Sequence, residues 1–266
     1  MSKTGSAAKV KLNSFDDLFG TEQPQTGTEQ VQEIALSELH EFKGHPFKVL
    51  DDEKMQETME SIREHGVLMP GIARPMKDGG YEIIAGHRRR HACELVGLTT
   101  MPMFIRDYTD DEATIIMVDS NIQREDILPS EKAKAYFMKY EAVKHQGKKG
   151  KGNSLDEVGE TAGESAKTVQ RYIYLAHLSD ALLDMVDKKK IGIVQGVELS
   201  FLTEQQQEWV QVVLEETGVI ISTAQASKLK EHGKSDELTL PMVRLILTES
   251  KPIERKVTIK ADKISR

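Results

Sequence analysis

Between Val31 and Ile105 the apolar positions follow two rhythms. Val31 to Leu36 reads as a strand. Asp52 to His65 carries Met55, Met59 and Ile62 on one helical face, with Gly66 placed as a C-cap. Ile72-Ala73-Arg74 and Tyr81 to Ala85 read as strands joined by a Lys77-Asp78-Gly79-Gly80 turn. A helix from about His87 to Val96, ended by Gly97, and a strand from Met101 to Ile105 complete a small α/β unit. From Asp110 the pattern turns helical. One segment spans 110–123, and Pro129 suits the first turn of the next, with Ala133, Phe137 and Tyr140 along one face. Gly147 to Gly152 is a flexible basic break and a candidate domain boundary. Beyond it, short helices are predicted at about 154–161, 165–178, 179–188, 203–216, 222–232 and 239–249, with no internal repeat. The predicted fold class is α+β, a small N-terminal α/β domain followed by an all-α domain.

Charge narrows the functions open to such a chain. Lys and Arg number 36 against 43 Asp and Glu, a net charge of −7. A protein that coats nucleic acid by bulk charge has to be basic, so any DNA role here must rest on a local patch. The single cysteine, Cys93, excludes a disulfide framework and a cysteine-cluster metal site. No apolar run reaches the length of a membrane span, and no signal-peptide pattern opens the chain, so a cytoplasmic protein is expected. Residues 1–30 are polar and aperiodic and read as a disordered tail. Within them, Phe15-Asp16-Asp17-Leu18-Phe19 is either a chance apolar cluster or a short docking peptide.

Three constellations could carry chemistry. Gly86-His87-Arg88-Arg89-Arg90 sits where a strand turns into a helix. There a glycine lets the backbone approach a ligand, free N–H groups face it, and arginines offer fork-shaped donors to phosphate oxygens. The plain alternative is a solvated basic helix start. Ser120-Asn121-Ile122-Gln123-Arg124-Glu125-Asp126 places Asn121 and Arg124 three apart, able to reach one phosphate or to be merely a polar helix end. Residues 155–177 have the shape of a helix-turn-helix: a short helix, a Gly163-Glu164 turn, then a helix capped by Ser165 with Val169, Tyr172, Ile173 and Ala176 inward. Lys167, Thr168, Gln170 and Arg171 would face DNA, and Lys148, Lys149 and Lys151 upstream would supply positive charge.

Gly66-Val67-Leu68-Met69-Pro70, then Gly80 through Arg89, then Asn121 through Asp126 followed by Pro129, match ParB-type partition proteins in order and spacing. Over roughly residues 31–200 the chain resembles the N-terminal half of that family. The resemblance implies a ParB/sulfiredoxin-like domain over 31–127 and a helical DNA-binding domain over 128–250, with its helix-turn-helix at about 154–178. It implies a CTP-binding, dimeric DNA clamp that reads a palindromic centromere-like site on double-stranded DNA. It also implies a ParA-type ATPase partner and a nucleoid-associated location. Carried over by position, Gly86, His87, Arg88 and Arg89 would hold the triphosphate, with Ser120, Asn121 and Arg124 on the phosphate side. Asn121 would serve Mg²⁺, and His45 would approach the nucleotide from a neighbouring loop.

The sequence also departs from the family. His87 and Ser120 stand where the family commonly has glutamate, so slow or absent CTP hydrolysis is expected. After Ser250 only the basic tail 251–266 remains where the family usually has a dimerisation domain, which implies truncation or dimerisation through other surfaces. The polar N-terminal tail, with Lys3, Lys9 and Lys11, would contact the ATPase. A plain helix-turn-helix regulator without nucleotide switching is the alternative reading. A sulfiredoxin-like reading fails on its own motif, because Ala85-Gly86-His87-Arg88 has no cysteine.

Overall fold

The computed structural model describes residues 30–146, 154–235 and 237–249. The expectations for residues 1–29, for the 147–152 break with Lys148, Lys149 and Lys151, and for the tail 251–266 lie outside the described residues.

Five strands build one mixed sheet: β1 (Val31–Ala35), β2 (Leu39–His40), β3 (Gly71–Pro75), β4 (Tyr81–Ala85) and β5 (Thr100–Ile105), in the order β1-β5-β3-β4-β2. The central β3 runs antiparallel to β4 and parallel to β5. The β3–β4 turn uses Gly79 and Gly80 at φ +93° and +73°, a backbone other residues rarely adopt. Two helices cover one face of the sheet: α1 (Glu53–His65) and α2 (His87–Val96). Asp52 caps α1 by accepting from Met55 N at 2.9 Å, and Met55, Met59 and Ile62 are buried as their spacing predicts. They pack with Ile34, Ala73, Ile83 and Met101.

Successive strand residues face opposite ways, so Ile72 and Ile84 lie on the other face. There they meet α3 (Asp110–Asp119) and α4 (Pro129–His145), and the same core continues into α5 (Ser154–Glu160) and α6 (Ala166–Leu175) through Tyr136, Val158, Val169 and Ile173. One core thus joins the sheet to the helical hairpin, with α4 as the shared element. A further helical core is built from α7 (Asp180–Asp187), α8 (Ile193–Leu199), α9 (Glu204–Thr217), α10 (Thr223–Lys234) and α11 (Leu240–Thr248).

Three expectations need correction. The helix predicted over 110–123 ends at Asp119, because Ser120 Oγ and Asn121 Nδ2 both donate to Met117 O (3.0 and 2.9 Å) and close the helix into a turn. The helix predicted over 165–178 ends at Leu175, followed by tighter bonds from His177 N to Tyr174 O and from Leu178 N to Leu175 O. Helix α8 was not predicted at all.

Candidate functional site

Gly86 shapes the first site. It links β4 to α2 at φ +112°, and no side chain caps the helix start, so the first N–H groups of α2 open into a cleft. A Cβ at Gly86 would lie 3.2 Å from Gly71 Cα. The cleft, about 600 Å³ together with the open solvent space it faces, is lined by His45, Lys48, Val49, Ala85, Gly86, His87, Arg88, Arg89, Ser120, Asn121 and Arg124. All eight residues assigned to nucleotide by sequence therefore come together at one place. Sequence reasoning missed Lys48, Val49 and Ala85; Lys48 lies three residues after His45, in the loop from which His45 was expected to approach the nucleotide.

The lining has four cations and no carboxylate, in a chain of net charge −7. Their engagements differ. Arg88 pairs with Asp52, the cap of α1. Arg89 donates to Met69 O and to Pro70 O (2.9 Å), tying α2 to the loop before β3; burial pushes its guanidinium below the usual arginine range. Arg124 is exposed, and no described residue pairs with its side chain. Asn121 spends its amide N–H on Met117 O and Ser120 Oγ (3.2 Å), which leaves its side-chain oxygen as an acceptor.

Two imidazoles, His45 and His87, lie against each other in the cleft wall, with ring centroids 3.9 Å apart and the rings tilted by 34°. His45 Nδ1 donates to Phe47 O at 2.8 Å, so its Nε2 carries the lone pair, and that buried atom has no partner in the structure. Burial lowers the His45 pKa. Burial, with His45 and Arg90 beside it, pushes His87 down to about 3. Phe42 N donates to His87 Nε2 at 3.4 Å, which leaves the proton on Nδ1. His87 is therefore a neutral N–H donor at the helix start, where a glutamate would bring charge. Asp119, next to Ser120, is bound to Lys139 at 2.5 Å, and neither it nor Glu125, next to Arg124, lines the cleft.

The second candidate surface is the α5–α6 hairpin. Gly163 turns at φ +66°, and Ser165 Oγ accepts from Thr168 N at 3.3 Å to cap α6. Val169 and Ile173 are buried, Tyr172 and Ala176 half-buried, while Lys167, Gln170 and Arg171 are exposed and Thr168 half-exposed. Neither Lys167 nor Arg171 pairs with an acid among the described residues. Ser165 is occupied by its capping role. Elsewhere, Cys93 is buried and its thiol is pushed up by that burial, which leaves it unreactive. Among the described residues no group of three acidic, histidine or cysteine side chains could hold a metal, and no helix is long and apolar enough to cross a membrane.

The family model of the ParB N-terminal domain matches residues 20–122. The probable chromosome 1-partitioning protein ParB of Deinococcus radiodurans is 34% identical over 212 residues, covering 80% of this chain and 70% of that protein. The chromosome-partitioning protein Spo0J of Thermus thermophilus is 31% identical over 209 residues, covering 79% and 73%. A solved structure of C-terminally truncated ParB from Caulobacter crescentus, complexed to the centromeric parS site, is 21% identical and covers 75% of this chain and 98% of that one, at a TM-score of 0.42.

Proposed function

The chain belongs to the ParB family of chromosome-partitioning proteins, and from that premise we propose that it is a site-specific DNA-binding protein whose cleft takes CTP with Mg²⁺. The observation that carries this reading is the cleft itself: an uncapped helix start, four cations and no carboxylate, in an acidic chain. That combination suits a polyanion. The N–H groups of α2 and the His87 Nδ1–H would hold phosphate oxygens in place. Arg124 and Lys48, both exposed at the rim, are available to close over them. Arg88 and Arg89 hold the cleft walls to α1 and to the Met69-Pro70 loop as well as adding charge. The choice of cytosine follows from the family resemblance.

The donor set fits Mg²⁺ in one limited way. Asn121 offers a side-chain oxygen, and a small hard cation carried by phosphate oxygens and water needs few protein ligands. Bound there, the cation would neutralise phosphate charge. Hydrolysis is a different matter. A neutral His87 held by Phe42 N, and an Asp119 held by Lys139, leave no carboxylate in the cleft to orient a water. Slow or absent hydrolysis is therefore part of the proposal.

Residues 31–127 would form the nucleotide part and 128–250 the DNA part. On α6, Lys167, Thr168, Gln170 and Arg171 would enter the major groove, with two copies reading a palindromic site. A homodimer that closes on DNA, a ParA-type ATPase partner and a nucleoid-associated location complete the reading.

The test is calorimetry of the full chain with CTP, ATP, GTP and UTP in Mg²⁺, repeated on Arg124→Ala. Selective CTP binding, weakened about tenfold or more by loss of a charge-assisted contact, is expected. No binding of any nucleotide would leave a plain helix-turn-helix regulator.

A further inference from the structure

Lys139 is the one lysine buried among the described residues, with 3% of its surface exposed. A buried ammonium is costly unless it is paired and hydrogen-bonded, so its partners matter. They come from two different elements. Asp119 Oδ1, at the end of α3, lies 2.5 Å from Nζ; Thr161 Oγ1, in the turn between α5 and α6, lies 3.3 Å away. A second link runs in parallel: Gln123 Nε2 donates to Thr161 O at 2.9 Å. Asp119 and Gln123 bracket Ser120 and Asn121, which line the nucleotide cleft, and Arg124 follows at once. The turn that would meet phosphate and the turn that aims the DNA-facing helix are thus fastened to each other at two points.

We infer that Lys139 and Gln123 are positioning residues that pass occupancy of the cleft to the helix-turn-helix. The inference rests on the nucleotide reading above and names how that site is regulated. A ligand that draws Asn121 and Arg124 inward displaces the 119–124 turn. Asp119 and Gln123 then pull on opposite sides of Thr161, its hydroxyl and its carbonyl. The same turn is also held from α4, where Glu164 is bound by Lys132 and by the Tyr136 hydroxyl (3.1 Å). Lys139 belongs to α4 as well, so the Asp119 link reaches Thr161 through that helix, whereas Gln123 holds Thr161 directly; a shift of Thr161 relative to Glu164 would rotate the start of α6. Coupling of this kind is reciprocal, so DNA on α6 changes the affinity of the cleft by the same factor.

Hydrogen exchange on the full chain, with and without CTP and Mg²⁺, separates the two steps. Protection over residues 86–90 reads binding; a change over residues 159–168 reads transmission. In the wild type both are expected, the second by about fivefold, the low end of ordinary couplings. Gln123→Ala, at an exposed position that does not threaten the fold, and Lys139→Met should keep protection at 86–90 and lose the change at 159–168. Lys139→Arg should restore it. Variants that retain the change, or a wild type protected only at 86–90, would overturn this inference alone. A wild type with no protection at 86–90 would overturn the nucleotide reading and this inference with it.

Discussion

Gly86 and His87 decide what the cleft can hold, and they do so by backbone shape and by neutrality. At φ +112°, with Gly71 Cα 3.2 Å from where a Cβ would sit, Gly86→Ala should cost about 1–3 kcal/mol in denaturant unfolding and weaken nucleotide binding together. Equal stability in the variant would mean that the turn is not constrained. His87 gives a pH signature. The unfolded chain takes up its proton near pH 6.5, whereas burial keeps the folded imidazole neutral down to about 3. Folded stability therefore falls as pH drops through that window, by up to about 1.4 kcal/mol per pH unit. His87→Gln should lack this component, so the stability difference between wild type and variant should move in the variant's favour from pH 6.5 to pH 4. Parallel curves would place His87 in contact with water. At this scale the motif residues were legible because glycine, arginine and asparagine announce their chemistry in sequence. Lys48 and Lys139 were not. An isolated lysine looks the same whether it ends in a cleft rim or in a buried pair.

The elements follow their periodicity where one face is apolar and lose it where a glycine or a polar side chain takes over. Helix α8 escaped prediction because Gly196 sits in its middle, ordinarily a cost to helix formation. The structure gives the reason for that glycine: a Cβ there would lie 2.6 Å from Leu175 Cδ1, where α8 crosses α6. Gly159 plays the same part inside the hairpin, since its Cβ would fall 2.3 Å from Glu164 O. Gly159→Ala should therefore destabilise the protein by roughly 1–3 kcal/mol and weaken specific DNA binding more than nucleotide binding, which it reaches only through the Thr161 links. Equal loss of both would contradict a local role. Glu131 is a third element-level constraint that the sequence hid. Buried at the start of α4, it accepts from Leu128 N at 3.0 Å and from Lys48 N at 2.7 Å, so one carboxylate starts a helix and fixes a cleft loop. Glu131→Ala leaves two backbone donors without acceptors. A loss of about 2 kcal/mol in stability is expected, with weaker nucleotide binding.

Across the whole molecule, the helical hairpin shares a core with the sheet that carries the cleft. The Asp110–Asp119 helix, its terminal turn and α4 lie between them. Binary patterning made the α/β unit and the helical region visible, but not that Tyr136, Val158 and Ile84 would lie in one cluster, because contacts at long sequence separation leave no period to read. Net charge is a whole-molecule property as well, and here it misleads: the acidic total conceals a cleft lined by four cations and no carboxylate, and a helix face on which Lys167 and Arg171 have no acid partner among the described residues. On the proposed function, nucleotide in the cleft would govern the behaviour of DNA on α6. The most direct measurement is the accumulation of protein on a duplex bearing the DNA site that the protein itself enriches from genomic fragments. It would be followed by biolayer interferometry, with both DNA ends blocked or one end free, with and without CTP. Accumulation that requires both CTP and blocked ends is expected from a clamp that closes and slides. Equal accumulation with and without nucleotide, on either duplex, would contradict it and leave a regulator that reads DNA with no nucleotide control.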